Sequence, residues 1–182
     1  MSSELPSSWI IWYSSLSKRN DNLEYDYSYE DDLLCLCELR TLQQFFNAYS
    51  YIKKPSEMQR NENMSCFRKG TKPTWESCPS GGTWTLKVTK KDLLKVDLYW
   101  DCLILECIRG GFSQDIDGIM ISVKKFEVNI QIWMHEAAAA HLKVAGEIKL
   151  ALKVETLDMF LKYHKDSLKD MSSVMNSVKI TC

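Results

Sequence analysis

The chain has 182 residues, 45% hydrophobic and 26% charged, the size and balance of a single globular domain with a real core. A formal net charge of -1 and a pI near 6.3 exclude the basic excess that grips long stretches of nucleic-acid backbone, so a nucleic-acid ligand must be small or locally read. The longest apolar run, 9–13, is far too short to cross a membrane, and no membrane association is expected.

The opening MSSELPSSW has neither the charged nor the apolar region of a secretory signal, which points to the cytoplasm, with the nucleus as a second option. Residues 1–8 read as a flexible tail, and 9–182 as one domain. The seven cysteines are an odd number without a C-x-x-C pair, and reduced, mostly buried thiols are expected. Aromatic and β-branched residues at 9–14 predict a first strand, and the acidic, tyrosine-bearing stretch 17–32 a long loop. Residues 33–39 alternate as a strand.

Thr41-Leu42-Gln43-Gln44 has the form of a capping box, and Leu42, Phe45, Phe46, Tyr49 and Ile52 follow at helical spacing, predicting a helix over 42–52. A polar linker, a short strand at 64–68 and an irregular Pro and Gly segment over 70–82 come next. Trp84, Leu86 and Val88 then alternate with polar residues as a half-buried strand. Residues 91–108 predict a second helix, stopped by Gly110-Gly111. Two strands, 118–124 and 127–134, are close enough for a hairpin, and 136–152 is an alanine-rich third helix. Weaker strands at 157–163 and 178–181 flank a polar loop. The expected fold is therefore α+β, with helices on one face of a largely antiparallel sheet and the other face free for a ligand.

Two features suggest what that face does. In 127–134, Val128, Ile130 and Ile132 point one way, leaving Trp133 on the face of Glu127, Asn129 and Gln131, and Lys124 shares that face from the neighbouring strand. Edge packing and a binding platform are both open for Trp133. In the loop, Trp75 is followed by Glu76 between Pro73 and a glycine pair, an aromatic for stacking and a carboxylate for reading a ligand's edge. Its plain alternative is a tryptophan lying over the core.

Catalytic signatures are absent. His135 and His141 in HEAAAAH stand six apart, whereas a helical zinc pair needs four, and there is no phosphate-binding glycine loop or nucleophile elbow. Glu30-Asp31-Asp32 reads as a solvated acidic loop. No catalysis, cofactor or metal is expected.

Taken in order, WIIW at 9–12, TLQQFFNAYSYI at 41–52, CFRKGTKPTWE at 66–76, GGTW at 81–84, YWDCLILECI at 99–108, DGIMISVKK at 117–125 and IQIW at 130–133 resemble the cap-binding translation initiation factor 4E family over nearly the whole chain. The resemblance implies a curved antiparallel sheet with three helices on its convex face and a concave slot for the 7-methylguanosine 5′ cap of mRNA. By position Trp75 is one slice of an aromatic sandwich, Glu76 reads the base edge, and Trp133 meets the methyl group. The second slice falls on Tyr29, with Tyr27 and Tyr25 as alternatives. Phosphate contacts fall to Lys124 and Lys125 and to the tail lysines Lys162, Lys165 and Lys169, because Thr83 stands where an arginine is common. On the helical face, Leu42, Phe46, Trp100, Asp101 and Leu105 match the surface where the family docks a peptide of the scaffold factor 4G or of 4E-binding repressors. Trp9, Trp12, Trp84 and Trp100 match core positions. The implied role is cap binding in translation initiation. The alternatives are a cap-binding repressor or specialised isoform, and an adaptor of the same fold that has lost cap binding.

Overall fold

The computed structural model describes residues 3–15, 29–113 and 115–182. Eight strands form one antiparallel sheet: β1 (Glu4–Ser15), β2 (Leu34–Thr41), β3 (Glu62–Arg68), β4 (Gly82–Thr89), β5 (Ile116–Val123), β6 (Glu127–Met134), β7 (Asp158–Tyr163) and β8 (Val178–Thr181), in the spatial order β2-β1-β3-β5-β6-β4-β7-β8. Among the described residues, four α-helices accompany it: α1 (Leu42–Tyr49), α2 (Leu93–Arg109), α3 (Ala137–Leu152) and a short α4 (His164–Asp170). None of the helices among the described residues is long and apolar enough to cross a membrane.

Local chemistry sets the helix ends. Thr41 accepts a hydrogen bond from the Gln44 amide at 3.2 Å while Gln44 accepts one from the Thr41 amide at 3.2 Å, the reciprocal box expected of the sequence. The helix stops at Tyr49 rather than at 52, because Ser50 already caps it. Asp92 caps α2 through the Lys95 amide at 3.2 Å, and Gly110 ends it with φ +75, a left-handed conformation that suits glycine.

Strand alternation sorts the side chains between two faces. Trp9, Ile11, Trp84, Leu86, Ile119, Ile121, Ile130 and Ile132 meet Phe45 of α1, Trp100 and Leu103 of α2, and Val144 and Ile148 of α3 in one core. The opposite face holds a smaller cluster of Phe67, Met120 and Trp133, with Trp12 and Trp75 packed against it. Trp12 therefore leaves the core position expected for it. Trp9 and Trp12 are an odd number of residues apart, and a period of two puts them on opposite faces.

Other expectations also change. β1 begins at Glu4, inside the segment read as a tail. Glu4 pairs with Thr41, and Ser3 O accepts from the Leu42 amide at 3.0 Å, so edge pairing recruits a polar stretch that has no apolar pattern to announce it. The helix α4 replaces part of the polar loop before β8 and packs on β7 and β4. All seven cysteines are unpaired, with Cys66, Cys78 and Cys107 buried, Cys35 exposed, and Cys37, Cys102 and Cys182 half-buried. Cys35 is exposed because β2 is the sheet's edge strand.

Candidate ligand-binding site

On the face of the sheet away from α1 to α3 lies a cavity of about 690 Å³. Tyr29, Trp75, Glu76, Lys124 and Trp133, drawn from four separate stretches of sequence, all line it. β6 supplies Trp133 and β5 leads into Lys124, as alternation requires. Trp133 is only 3% exposed and stands edge-on to Phe67, with ring centroids 5.3 Å apart and planes at 74°. Its indole N–H has no hydrogen-bond partner.

The loop after β3 carries Trp75 and Glu76. Pro73 and Thr74 are buried, Thr74 Oγ1 lies 2.7 Å from Ser77 Oγ, and the Cys78 amide donates to Trp75 O at 3.1 Å. Trp75 is thus held half-buried against the Phe67 cluster, while Glu76 is exposed at the rim. Gly81 is required for close approach: a Cβ there would stand 2.4 Å from Met134 O and 2.6 Å from Cys78 Sγ.

Tyr29 opens a short 3-10 turn, Tyr29–Asp32, and its hydroxyl lies 3.4 Å from Ser14 Oγ on β1. Burial pushes the Tyr29 phenol up, the Ser14 hydrogen bond opposing it. From Ser14 a polar chain crosses the floor, with Asn63 Nδ2 donating to Ser14 Oγ at 3.1 Å and Ser122 donating to Asn63 Oδ1. Asn63, Ser122 and Gln131 are neutral hydrogen-bonding groups in the cavity wall. Of the tyrosine alternatives, Tyr27 and Tyr25 lie outside the described residues.

The lysines divide. Lys124 lines the cavity, and burial lowers its pKa, Glu127 partly opposing this. Lys125 turns to the Phe126 ring at 4.9 Å and Lys165 to the Tyr163 ring at 5.4 Å, and neither lines the cavity. Side chains on a turn and on the surface of α4 find their own aromatic neighbours instead. Lys162 is buried, and its ammonium donates to both oxygens of Asp170 at 2.7 Å and to Met175 O at 2.5 Å. Lys169 faces Asp166 at 3.8 Å. Lys162 instead organises the segment after α4: Asp170 also accepts from the Ser172 amide at 3.1 Å, and Met171, Ser172, Ser173 and Val174 form a wall of the cavity. Sequence reasoning missed that wall, since Met171, Ser172, Ser173 and Val174 carry neither strand alternation nor helical spacing.

On the helical face, Phe46 is 56% exposed and Leu98 59%, with Leu42, Leu94 and Leu105 also exposed. Leu94, Leu98 and Leu105 form a stripe at helical spacing along α2. Asp101 accepts the Tyr49 hydroxyl, fixing α2 to α1, and burial and that carboxylate raise the Tyr49 phenol. Trp100, expected on this surface as well as in the core, is 0% exposed and belongs to the core alone, because it follows Val96 and precedes Leu103 and Ile104 on the inward face of α2.

The comparisons with known proteins agree with this architecture. The chain is 27% identical to the translation initiation factor isoform 4E of Prunus domestica, over 93% of this chain and 79% of that protein. It is 27% identical to translation initiation factor 4E1 of Drosophila melanogaster, over 93% of this chain and 66% of that one. The fold matches that of C. elegans eIF4E-3, solved with the 4E-binding protein Mextli and a cap analog, with a TM-score of 0.80 at 24% identity, covering 93% of this chain and 96% of that one. A family model for eukaryotic initiation factor 4E matches residues 4–179, and the chain belongs to that family.

Proposed function

We propose that this protein binds the 7-methylguanosine 5′ cap of messenger RNA in the cavity between Tyr29, Trp75 and Trp133, and acts in translation initiation as a binding protein rather than a catalyst. One observation carries the reading: two aromatic residues, a rim carboxylate, a lysine and a buried tryptophan, scattered over more than a hundred positions of sequence, line one cavity of about 690 Å³. The C. elegans relative of the same fold was solved with a cap analog, which supports it.

The chemistry suits that ligand. Methylation at N7 makes guanine cationic, so aromatic faces add a cation–π attraction to stacking. Trp75 and Tyr29 stack on the base, Trp133 meets the methyl group, and Glu76 accepts from N1–H and the exocyclic amine in a charge-assisted pair. Lys124 faces the phosphates. With Lys162 already paired to Asp170, phosphate contributes less of the affinity here than the base does.

The test is a tryptophan-fluorescence titration with 7-methylguanosine triphosphate and with GTP. Saturable quenching by the methylated nucleotide alone is expected. A folded protein that responds to neither up to millimolar concentration overturns the reading. The exposed Phe46 and α2 leucine stripe favour a second activity beside it, docking of a 4E-binding or scaffold-factor peptide, and the C. elegans relative was solved in complex with the 4E-binding protein Mextli.

A further inference from the structure

We propose that Cys78, Asp117 and His135 form a site for a thiophilic divalent cation of the zinc type. The three come from the Trp75 loop, the start of β5 and the end of β6, and their donor atoms all lie within 4.8 Å of one another. His135 Nδ1 is 3.9 Å from Cys78 Sγ and 3.5 Å from Asp117 Oδ2. In a tetrahedral zinc site, with bonds near 2.3 Å to sulfur and 2.0 Å to nitrogen or oxygen, ligand atoms stand about 3.3–3.6 Å apart. The two measured separations already approach that frame.

A second observation points the same way. Asp117 is only 6% exposed, and its Oδ2, the oxygen turned toward His135, has no hydrogen-bond partner. A buried carboxylate oxygen without a donor is costly, and buried charges are ordinarily paired or bound to metal. His135 offsets that charge only when it is protonated, and it is otherwise free to coordinate through Nδ1. Its side chain is 65% exposed, which leaves the cluster open to an entering ion and to water as a fourth ligand. A thiol, an imidazole and one carboxylate select zinc over magnesium or calcium, which prefer an all-oxygen set.

Cys78 now donates its S–H to His135 O at 3.3 Å. On binding, that proton passes to solvent and the thiolate takes the cation. The loop backbone is already aligned: Cys78 O accepts from the Gly81 amide at 3.0 Å and from His164 Nδ1 at 2.7 Å, and His164 Nε2 then accepts from the Thr83 hydroxyl at 2.9 Å. The ion would fasten the loop bearing Trp75 and Glu76 to β5 and β6.

The experiment titrates metal-free, reduced protein with Co²⁺ and then Zn²⁺, without any nucleotide, so its outcome is independent of the cap reading. One equivalent of Co²⁺ giving a thiolate-to-cobalt charge-transfer band with tetrahedral d–d bands, displaced by Zn²⁺, is the expected result. Cys78→Ser removes the charge-transfer band. His135→Gln, at an exposed side chain, weakens binding by at least the ~10–100-fold that loss of even an outer hydrogen-bond partner costs a metal site. Amide exchange over 74–81 slows with Zn²⁺. Absence of the band in folded protein overturns the proposal, as does binding that survives Cys78→Ser and disappears in Cys35→Ser/Cys37→Ser.

Discussion

Glu30 and Lys72 form an ion pair at 2.8 Å that joins the residue after Tyr29 to the residue before Pro73. The two aromatic walls of the cavity are therefore tied together although their loops are 42 positions apart. Both partners are about half exposed, with side-chain exposures of 51% and 43%, so the pair contributes at most about 1 kcal/mol to stability. Its effect belongs to the slot instead. Lys72→Met is expected to lower stability by no more than about 1 kcal/mol and to weaken 7-methylguanosine triphosphate binding by less than about 10-fold. The charge swap Glu30→Lys/Lys72→Glu restores most of that loss. Denaturation curves and fluorescence titrations of the three proteins check this.

Stacking and edge reading dominate the proposed affinity. Trp75→Ala is expected to weaken cap binding by about 1–3 kcal/mol, roughly 5- to 150-fold, with the fold intact because Trp75 is only half-buried. Glu76→Gln keeps the shape but removes the charge, and it reduces the preference for the methylated nucleotide over GTP less than it reduces binding of both. Tyr29→Ala costs more than Tyr27→Ala or Tyr25→Ala if Tyr29 is the second slice. Calorimetric titrations rank the five variants.

Lys124 is the one lysine of those proposed for the phosphates that lines the cavity. Lys124→Met is expected to cost about 1.5–3 kcal/mol with the triphosphate and almost nothing with 7-methylguanosine nucleoside. Lys125→Met and Lys165→Met leave both ligands unaffected. The six titrations separate the roles.

The wall made by Met171 to Val174 depends on Lys162 and Asp170. The ammonium of Lys162 beside it holds the Asp170 carboxyl below its usual 3.8. A depressed carboxylate contributes stability that is fully present above the unfolded value. That contribution is lost as pH falls below 3.8 and through the folded value. Asp170→Asn therefore loses stability at neutral pH and shows a shallower acid loss than the parent. Urea denaturation from pH 6 to pH 2 measures both slopes.

On the helical face, burial distinguishes neighbouring positions. Phe46→Ala and Leu98→Asp are expected to abolish binding of a 4E-binding peptide, each by 2 kcal/mol or more, without changing cap binding. Trp100→Ala destabilises the protein by about 3–5 kcal/mol, because it empties a fully buried site. Peptide pull-downs and thermal melts distinguish the two kinds of position.

Much of this fold follows from local chemistry. The Thr41 box, the Gly110 stop and the alternation of β4, β5 and β6 depend on residues close in the chain, and those elements stand where their patterns put them. Trp133 and Lys124 share a face for the same reason, the fixed period of a strand. Pairing between distant segments leaves no such mark. The polar start of β1 is a strand because Glu4 pairs with Thr41 of β2, and the charge of Lys162 is spent on Asp170 only because α4 turns back over β7. The sequence by itself determined the elements and the order of the aromatic and acidic motifs, since both are written within a few residues. The tertiary structure decided which lysine faces the cavity, which tryptophan is core and which cysteine meets an aspartate and a histidine, because each depends on how chain segments far apart in sequence pack together.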